Sequence, residues 1–249
     1  VAVVVLLIVM LAFSPTVPPA SAFSDVPAGH GYAPAIDELS SRGIIVGYTT
    51  GEFGIDNPAS RQQFAKMIVK TLDLPVAGDQ SSPFTDVEVQ LGADPLYPSK
   101  YVAVCAKEGI TAGKTAVTFD PYSHITRQQL MTMVACAMRF LDPPSDYAPP
   151  FIQEQFALKD HYDHARKAAY AGLLDGLEGI GPTYDFQTDA TRGECAQLLF
   201  SLLPQEVEIL PNPDAIGSAQ DGGCIGRHAA YDCSRALHER RDVASRRGP

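Results

Sequence analysis

One motif written three times constrains this chain more than any other feature. "SRQQFAKMIVKTL" begins at Ser60, "TRQQLMTMVACAM" at Thr126 and "TRGECAQLLFSLL" at Thr191, about 65 residues apart. With Arg61, Arg127 and Arg192 in one column, the position three residues on holds Phe64, Leu130 and Cys195. Further along stand Met67 and Ile68, Met133 and Val134, Leu198 and Leu199. That spacing is the apolar stripe of an amphipathic helix, in the same phase each time. Ser60, Thr126 and Thr191 are N-cap types, followed three residues later by Gln63, Gln129 and Glu194, which is the capping-box pattern. Self-similarity at a fixed period predicts repeated units that stack on one another to share a core.

The repetition extends upstream. "GIIVG" (43–47), "GITAG" (109–113) and "GLLDG" (172–176) each close a shorter helical pattern, and the opening glycine suits a left-handed helix end. Ahead of it Ile36 and Leu39 match Val102 and Cys105, then Ala165 and Ala168, as a second inward stripe. One aromatic, Phe53, Phe119 or Phe186, stands in each turn-rich connection and reads as core. Each unit is therefore helix, short extended loop, helix, and the fold class is mostly α. A single unit is too small to bury a comfortable core alone, so the three are expected to fold together.

The arginine is the odd member of the motif. A helix N-terminus carries partial positive charge, so a cation in the first turn is mildly unfavourable. Helix N-termini also present N–H groups that suit an anion, and a guanidinium fork matches a carboxylate. Together they would make a site for an acidic ligand. The structural alternative pairs Arg61 with Asp25 and Arg127 with Asp86 as structural ion pairs. Tyr48, next to Gly47, reads equally as an open stacking platform or as a partly buried structural residue.

The stretch "FSDVPAGHGYAPAIDELSSRGIIVGYTTGEFGIDNPASRQQFAKMI" (23–68) strongly resembles an S-layer homology domain repeat, and residues 81–145 and 146–204 resemble the same module with more drift. The resemblance implies a compact pseudo-threefold unit that holds proteins non-covalently on cell-wall polysaccharide, often a secondary polymer bearing acidic pyruvyl ketals. It implies ligand grooves between neighbouring repeats, contacted by the motif arginine, the early aspartate and backbone near the glycines. Carried onto this chain, those positions are Arg61, Arg127, Arg192, Asp25, Asp86, Gly47 and Gly113, with Tyr48 beside them. The family pattern Thr-Arg-Ala-Glu is Ser-Arg-Gln-Gln, Thr-Arg-Gln-Gln and Thr-Arg-Gly-Glu here. Lys114 and Leu177 stand where the first repeat has Tyr48, residues 89–100 carry an insertion, and Asp160 is only a loose counterpart of Asp25. The grooves using Arg61 and Arg127 are accordingly expected to outrank the one using Arg192.

The remaining features set the boundaries. Residues 1–22 have an apolar run and then small residues at Ala20 and Ala22, the pattern of a signal peptide cut after Ala22 and too short for a transmembrane helix. The units are then 23–80, 81–145 and 146–204, and 205–249 reads as linker and disordered tail. A net charge of -10 gives no basic field for nucleic acid or anionic lipid. Of five cysteines, Cys105 and Cys195 fall on apolar helix positions, Cys224 and Cys233 can pair in the tail, and one is left over. His161 and His164 read as a solvated helix start rather than a metal site. Cys224, His228, Cys233 and His238 lack the spacing of a common zinc module. No cofactor, metal or catalytic motif is expected. The reading is a secreted, non-catalytic module on a bacterial cell wall with polysaccharide as its partner; its oligomeric state is open. The alternatives are the anchor or regulatory subunit of a wall-associated enzyme, or a structural assembly module whose grooves have decayed.

Overall fold

The computed structural model describes residues 23–203; the expected signal peptide and the tail with Cys224 and Cys233 lie outside them. Six α-helices occur among the described residues, two per repeat: α1 (Ala33–Ser41) and α2 (Arg61–Thr71), α3 (Ser99–Lys107) and α4 (Arg127–Met138), α5 (Lys159–Tyr170) and α6 (Arg192–Phe200). The second helix of each pair starts where the motif predicts. All three capping boxes are formed, with Ser60, Thr126 and Thr191 accepting from the N3 backbone and the N3 side chain accepting from the cap N–H.

The first helix of each pair also ends alike. The N–H groups of Ile44, Ile110 and Leu173 reach back to the carbonyls of Leu39, Cys105 and Ala168 at 2.8 to 3.0 Å. The glycines just before them, Gly43, Gly109 and Gly172, have φ of 64°, 71° and 74°. This is the Schellman end, and it demands a residue that tolerates the left-handed region.

Packing runs between repeats rather than within them. Helix α2 lies on α3, α4 on α5, and α6 returns to α1, so the units close a ring. At its centre a cycle of backbone hydrogen bonds joins one residue from each unit. Ile125 N–H donates to the Ala59 carbonyl at 2.9 Å, Ala190 N–H to Ile125 at 2.8 Å, and Ala59 N–H to Ala190 at 3.1 Å. Short antiparallel bridges (Pro58 with Thr191, Ser60 with His124, Thr126 with Asp189) flank that cycle and supply the expected extended segments.

The two stripes meet in one core. Phe53, Phe119, Phe186, Ile36, Leu39, Val102, Cys105, Ala165 and Ala168 are all fully buried. Where the third repeat contributes only alanines, an aromatic cluster fills the space: Phe156 stacks on Phe186 at 4.2 Å and Phe151 meets Phe186 at 4.9 Å. Phe151 thereby takes the place that Phe23 and Phe84 hold against Phe53 and Phe119 at 5.4 and 5.6 Å. The third repeat therefore has its opening aromatic. Asp160, the loose counterpart suggested by the sequence, sits instead in the first turn of α5.

Candidate functional site

The motif arginines lie on the seams of the ring, and each reads the loop of the next repeat. Arg61 donates through Nε to the Phe119 carbonyl at 2.9 Å and through Nη1 to Gln129 Oε1 at 3.1 Å, with its guanidinium 4.7 Å over the Phe119 ring. Arg192 donates to the carbonyls of Phe53 (2.8 Å) and Val46 (2.9 Å), and lies over the rings of Phe53 and Tyr48 at 4.5 and 5.1 Å. Arg127 differs: it grips Glu194 with Nε at 2.9 Å and Nη2 at 2.8 Å, donates to the Asp185 carbonyl at 3.1 Å, and lies 4.3 Å over Tyr184. Arg61 and Arg192 are buried, and burial draws both below the ordinary arginine value.

These contacts change two expectations. The ion pairs of Arg61 with Asp25 and of Arg127 with Asp86 are not formed; the neighbours are shifted by one repeat, with Asp86 and Asp120 acting on Arg61 and Asp25 on Arg192 through their charge. Nor are the helix N-termini free to take an anion. The N1 groups of Arg61, Arg127 and Arg192 donate to Ser123, Thr188 and Asn57 at 3.0, 3.0 and 2.8 Å. The N2 groups of Gln62, Gln128 and Gly193 donate to Pro121, Phe186 and Ile55 at 3.1, 2.8 and 2.9 Å. The N3 groups are taken by the caps. Positive charge at the seams comes from side chains alone.

The early aspartates shape the loops that the arginines read. Asp25 accepts from Phe53 N–H and Gly54 N–H, both at 2.6 Å, and from Ile55 N–H at 3.3 Å. Asp86 accepts from Phe119 and Asp120 N–H at 2.8 and 2.7 Å. The third repeat reverses the polarity: Gln155 donates its amide to the carbonyls of Gly181 (3.1 Å) and Tyr184 (2.8 Å). At Asp25 burial pulls the carboxyl up, but the N–H donors together outweigh it and hold it below the usual range. A depressed folded value contributes stability that is present above the unfolded value of about 3.9 and is lost as pH falls through the folded one. Asp25→Asn turns one acceptor into a donor facing N–H groups, so a loss of about 2 kcal/mol at neutral pH is expected. Denaturant titrations at neutral pH and near pH 3 check this: the gap between variant and parent should narrow in acid.

Three seams result. The first joins α6 to the loop of the first repeat and brings together Arg192, Asp25, Gly47 and Tyr48. The second joins α2 to the second repeat, with Arg61, Asp86, Gly113 and Lys114, whose ammonium is paired with Asp120 at 2.7 Å. The third holds Arg127, Glu194 and Tyr184. Tyr48 is 43% exposed beside the Arg192 guanidinium, so its outer face stays open to a ligand. A Cβ on Gly47 would stand 2.6 Å from the Glu52 carbonyl oxygen, and one on Gly113 2.6 Å from that of Thr118, so both positions require glycine for close backbone approach.

The model of the S-layer homology domain matches residues 22–65 and 92–131, which span the opening of the first repeat through the start of α2 and then α3 into α4. The first two repeats thus carry the S-layer homology pattern. The third helix pair lies outside those matches and is joined to the other two by the same capping box, Schellman end and seam arginine. Relatives of the chain include the S-layer protein EA1 of Bacillus anthracis, 27% identical over 186 residues, or 75% of this chain and 20% of that protein. An S-layer protein of Bacillus licheniformis shares the same identity and coverage. An endoglucanase of Bacillus sp. (strain KSM-635) is 27% identical over 239 residues, 88% of this chain and 24% of that enzyme. The chain thus spans about a fifth to a quarter of the length of these curated relatives. Family and relatives together place it at the surface of a bacterial cell, in the wall layer. No helix among the described residues is long and apolar enough to cross a membrane.

Sequence reasoning missed Gln129, Glu194 and Gln155. The first two were legible as caps, but their second task, holding the arginine of the preceding repeat, crosses a seam. His161 and His164 lie in the first turns of α5 as read, but they are half-buried and each contacts a side chain of α4. No group of three metal-ligating residues occurs among the described residues.

Proposed function

We propose that this chain is a non-catalytic wall-anchoring module that binds an acidic secondary wall polysaccharide of the pyruvylated type through the seams between its repeats. The observation that carries the reading is the first seam, where a buried arginine and an open tyrosine ring meet beside backbone held close by Gly47. A sugar stacked on Tyr48 would bring its acidic substituent to the Arg192 guanidinium, and Asp25 fixes the loop that forms the floor. Charge balance favours the Arg192 and Arg61 seams, because the Arg127 cation is already neutralised by Glu194. On this reading Arg61, Arg127 and Arg192 first hold the ring together, and two of them offer residual charge to the ligand.

The endoglucanase relative supports a second reading, in which the same module serves as the anchor of a wall-associated enzyme. The binding chemistry is unchanged in that case; what differs is the cargo.

The test is pull-down of the chain on purified wall sacculi before and after removal of the covalently attached polymer. Alanine at Arg192 or Arg61 would disturb the fold, so the informative variant is Tyr48→Ala. Retention that vanishes with the polymer, and weakens about tenfold in folded Tyr48→Ala, is the expected result. Retention indifferent to both leaves an assembly module with a protein partner.

A further inference from the structure

The joint between α4 and α5 holds a pair of polar contacts that wall anchoring does not use. Thr132 and Cys136, one turn apart on α4, face His161 and His164, nearly one turn apart on α5. Thr132 Oγ1 lies 2.7 Å from His161 Nδ1, and Cys136 Sγ lies 3.4 Å from His164 Nε2. The other nitrogen of His164, Nδ1, is 2.7 Å from the Asp160 carbonyl oxygen. A carbonyl only accepts, so Nδ1 carries the proton and Nε2 of the neutral ring is left as an acceptor. The Cys136 thiol is then the donor, pointed at a base whose tautomer is already set.

The other described cysteines have nothing comparable. Cys105 and Cys195 are fully buried, and burial drives both thiols far up. Cys136 is only partly buried; burial raises its thiol, and the nearby Lys167 ammonium acts in the opposite direction. His164 also forms part of the wall of a 320 Å³ cavity lined by Asp142, Pro143, Asp160, Asp163, Arg166 and Lys167, room for a small molecule on the imidazole side of the pair; Cys136 itself does not line it. Lys167 is held there by Asp142 at 2.8 Å, and the Arg166 guanidinium is engaged by the Tyr147 carbonyl at 3.0 Å.

We propose that Cys136 and His164 form a thiol–imidazole site that captures small disulfides, leaving a mixed disulfide at the α4–α5 joint. His164 Nε2 takes the thiol proton as Cys136 Sγ attacks one sulfur of the incoming disulfide. The new S–S bond forms as the old one breaks, and the departing thiolate receives the proton from the imidazolium. Atoms and electrons balance with the disulfide as the sole co-reactant. An oxidising extracellular setting is where such reactants persist.

The experiment uses the full chain in its native state with dipyridyl disulfide as the probe. Released pyridinethione gives the rate, and peptide mass mapping assigns each adduct. Cys136 should react at least about tenfold faster than Cys105 or Cys195. His164→Gln should slow Cys136 by about tenfold or more, the lower side of what a positioned base provides. His161→Gln breaks the adjacent α4–α5 hydrogen bond without touching the thiol, and should leave the rate within about twofold. The proposal is overturned if Cys136 in the parent chain reacts no faster than the two buried cysteines. It is equally overturned if His164→Gln leaves the rate unchanged, or if His161→Gln slows it as much.

Discussion

A chain ending at residue 145, with the third repeat removed, is expected to lose cooperative folding altogether. The deletion takes away α5 and α6, and with them the partners of α4 and α1. It breaks two of the three bonds in the central backbone cycle, leaving only that from Ile125 to Ala59. Buried Tyr32, whose hydroxyl accepts from Glu178 N–H at 3.0 Å, loses that donor, and the carbonyls of Phe53 and Val46 lose Arg192. A domain of this size holds on the order of 5–15 kcal/mol in total, and stripping apolar area from two of three interfaces exceeds that. Thermal unfolding followed by near-ultraviolet circular dichroism checks the expectation. A sharp transition in the two-repeat chain, at low concentration where swapped dimers are excluded, would show that the ring is not the folding unit.

Arg127→Ala is expected to be the most damaging single substitution at the seams, at about 3–5 kcal/mol. Its partner Glu194 is only 4% exposed, and losing Arg127 leaves that carboxylate buried without its cation. Glu194 keeps Tyr184 Oη at 2.9 Å and Thr191 N–H at 3.0 Å, neutral donors that do not balance the charge. The Arg61 seam supplies the control. There Arg61 meets Gln129, a neutral residue at the same helix position, so the architecture accepts an amide. Glu194→Gln in the Arg127→Ala background should therefore recover about 2 kcal/mol, and the coupling energy in a double-mutant cycle is that recovery plus the cost of Glu194→Gln alone. At roughly 2–4 °C per kcal/mol for a domain of this length, calorimetry resolves all four proteins. Equal losses in the single and double variants would mean that the carboxylate reaches water once Arg127 is gone.

The helices were legible because what starts and stops them is local. Ser60, Thr126 and Thr191 announce α2, α4 and α6, and Gly43, Gly109 and Gly172 end α1, α3 and α5 within a few residues of sequence. The phase of the apolar stripe told which face goes inward, and Phe53, Phe119 and Phe186 were found in the core as read. The seams were less legible because their partners stand 58 to 139 residues apart, as Arg61 does from Phe119 and Arg192 from Phe53. Aligning repeats places equivalent residues in one column, which invites pairing Arg61 with Asp25 of its own unit. A closed ring satisfies each arginine from the next unit instead, and nothing in the column says so. The same blindness hid Gln155. Its task is that of Asp25 done with an amide against carbonyls, so a search for a carboxylate passed over it to Asp160.

The cycle joining Ala59, Ile125 and Ala190 also bears on how a wall anchor carries load. A pull on the chain beyond Leu203 reaches α6 first, the last helix among the described residues. Helix α6 lies against α1, at the opposite end of the described sequence, and Ala190 just before it is bonded to both other units. Tension therefore passes into all three repeats at once, instead of peeling them off in order as in a linear array. Detachment under sustained force then depends on the barrier to opening the whole ring, which is a matter of lifetime more than of equilibrium.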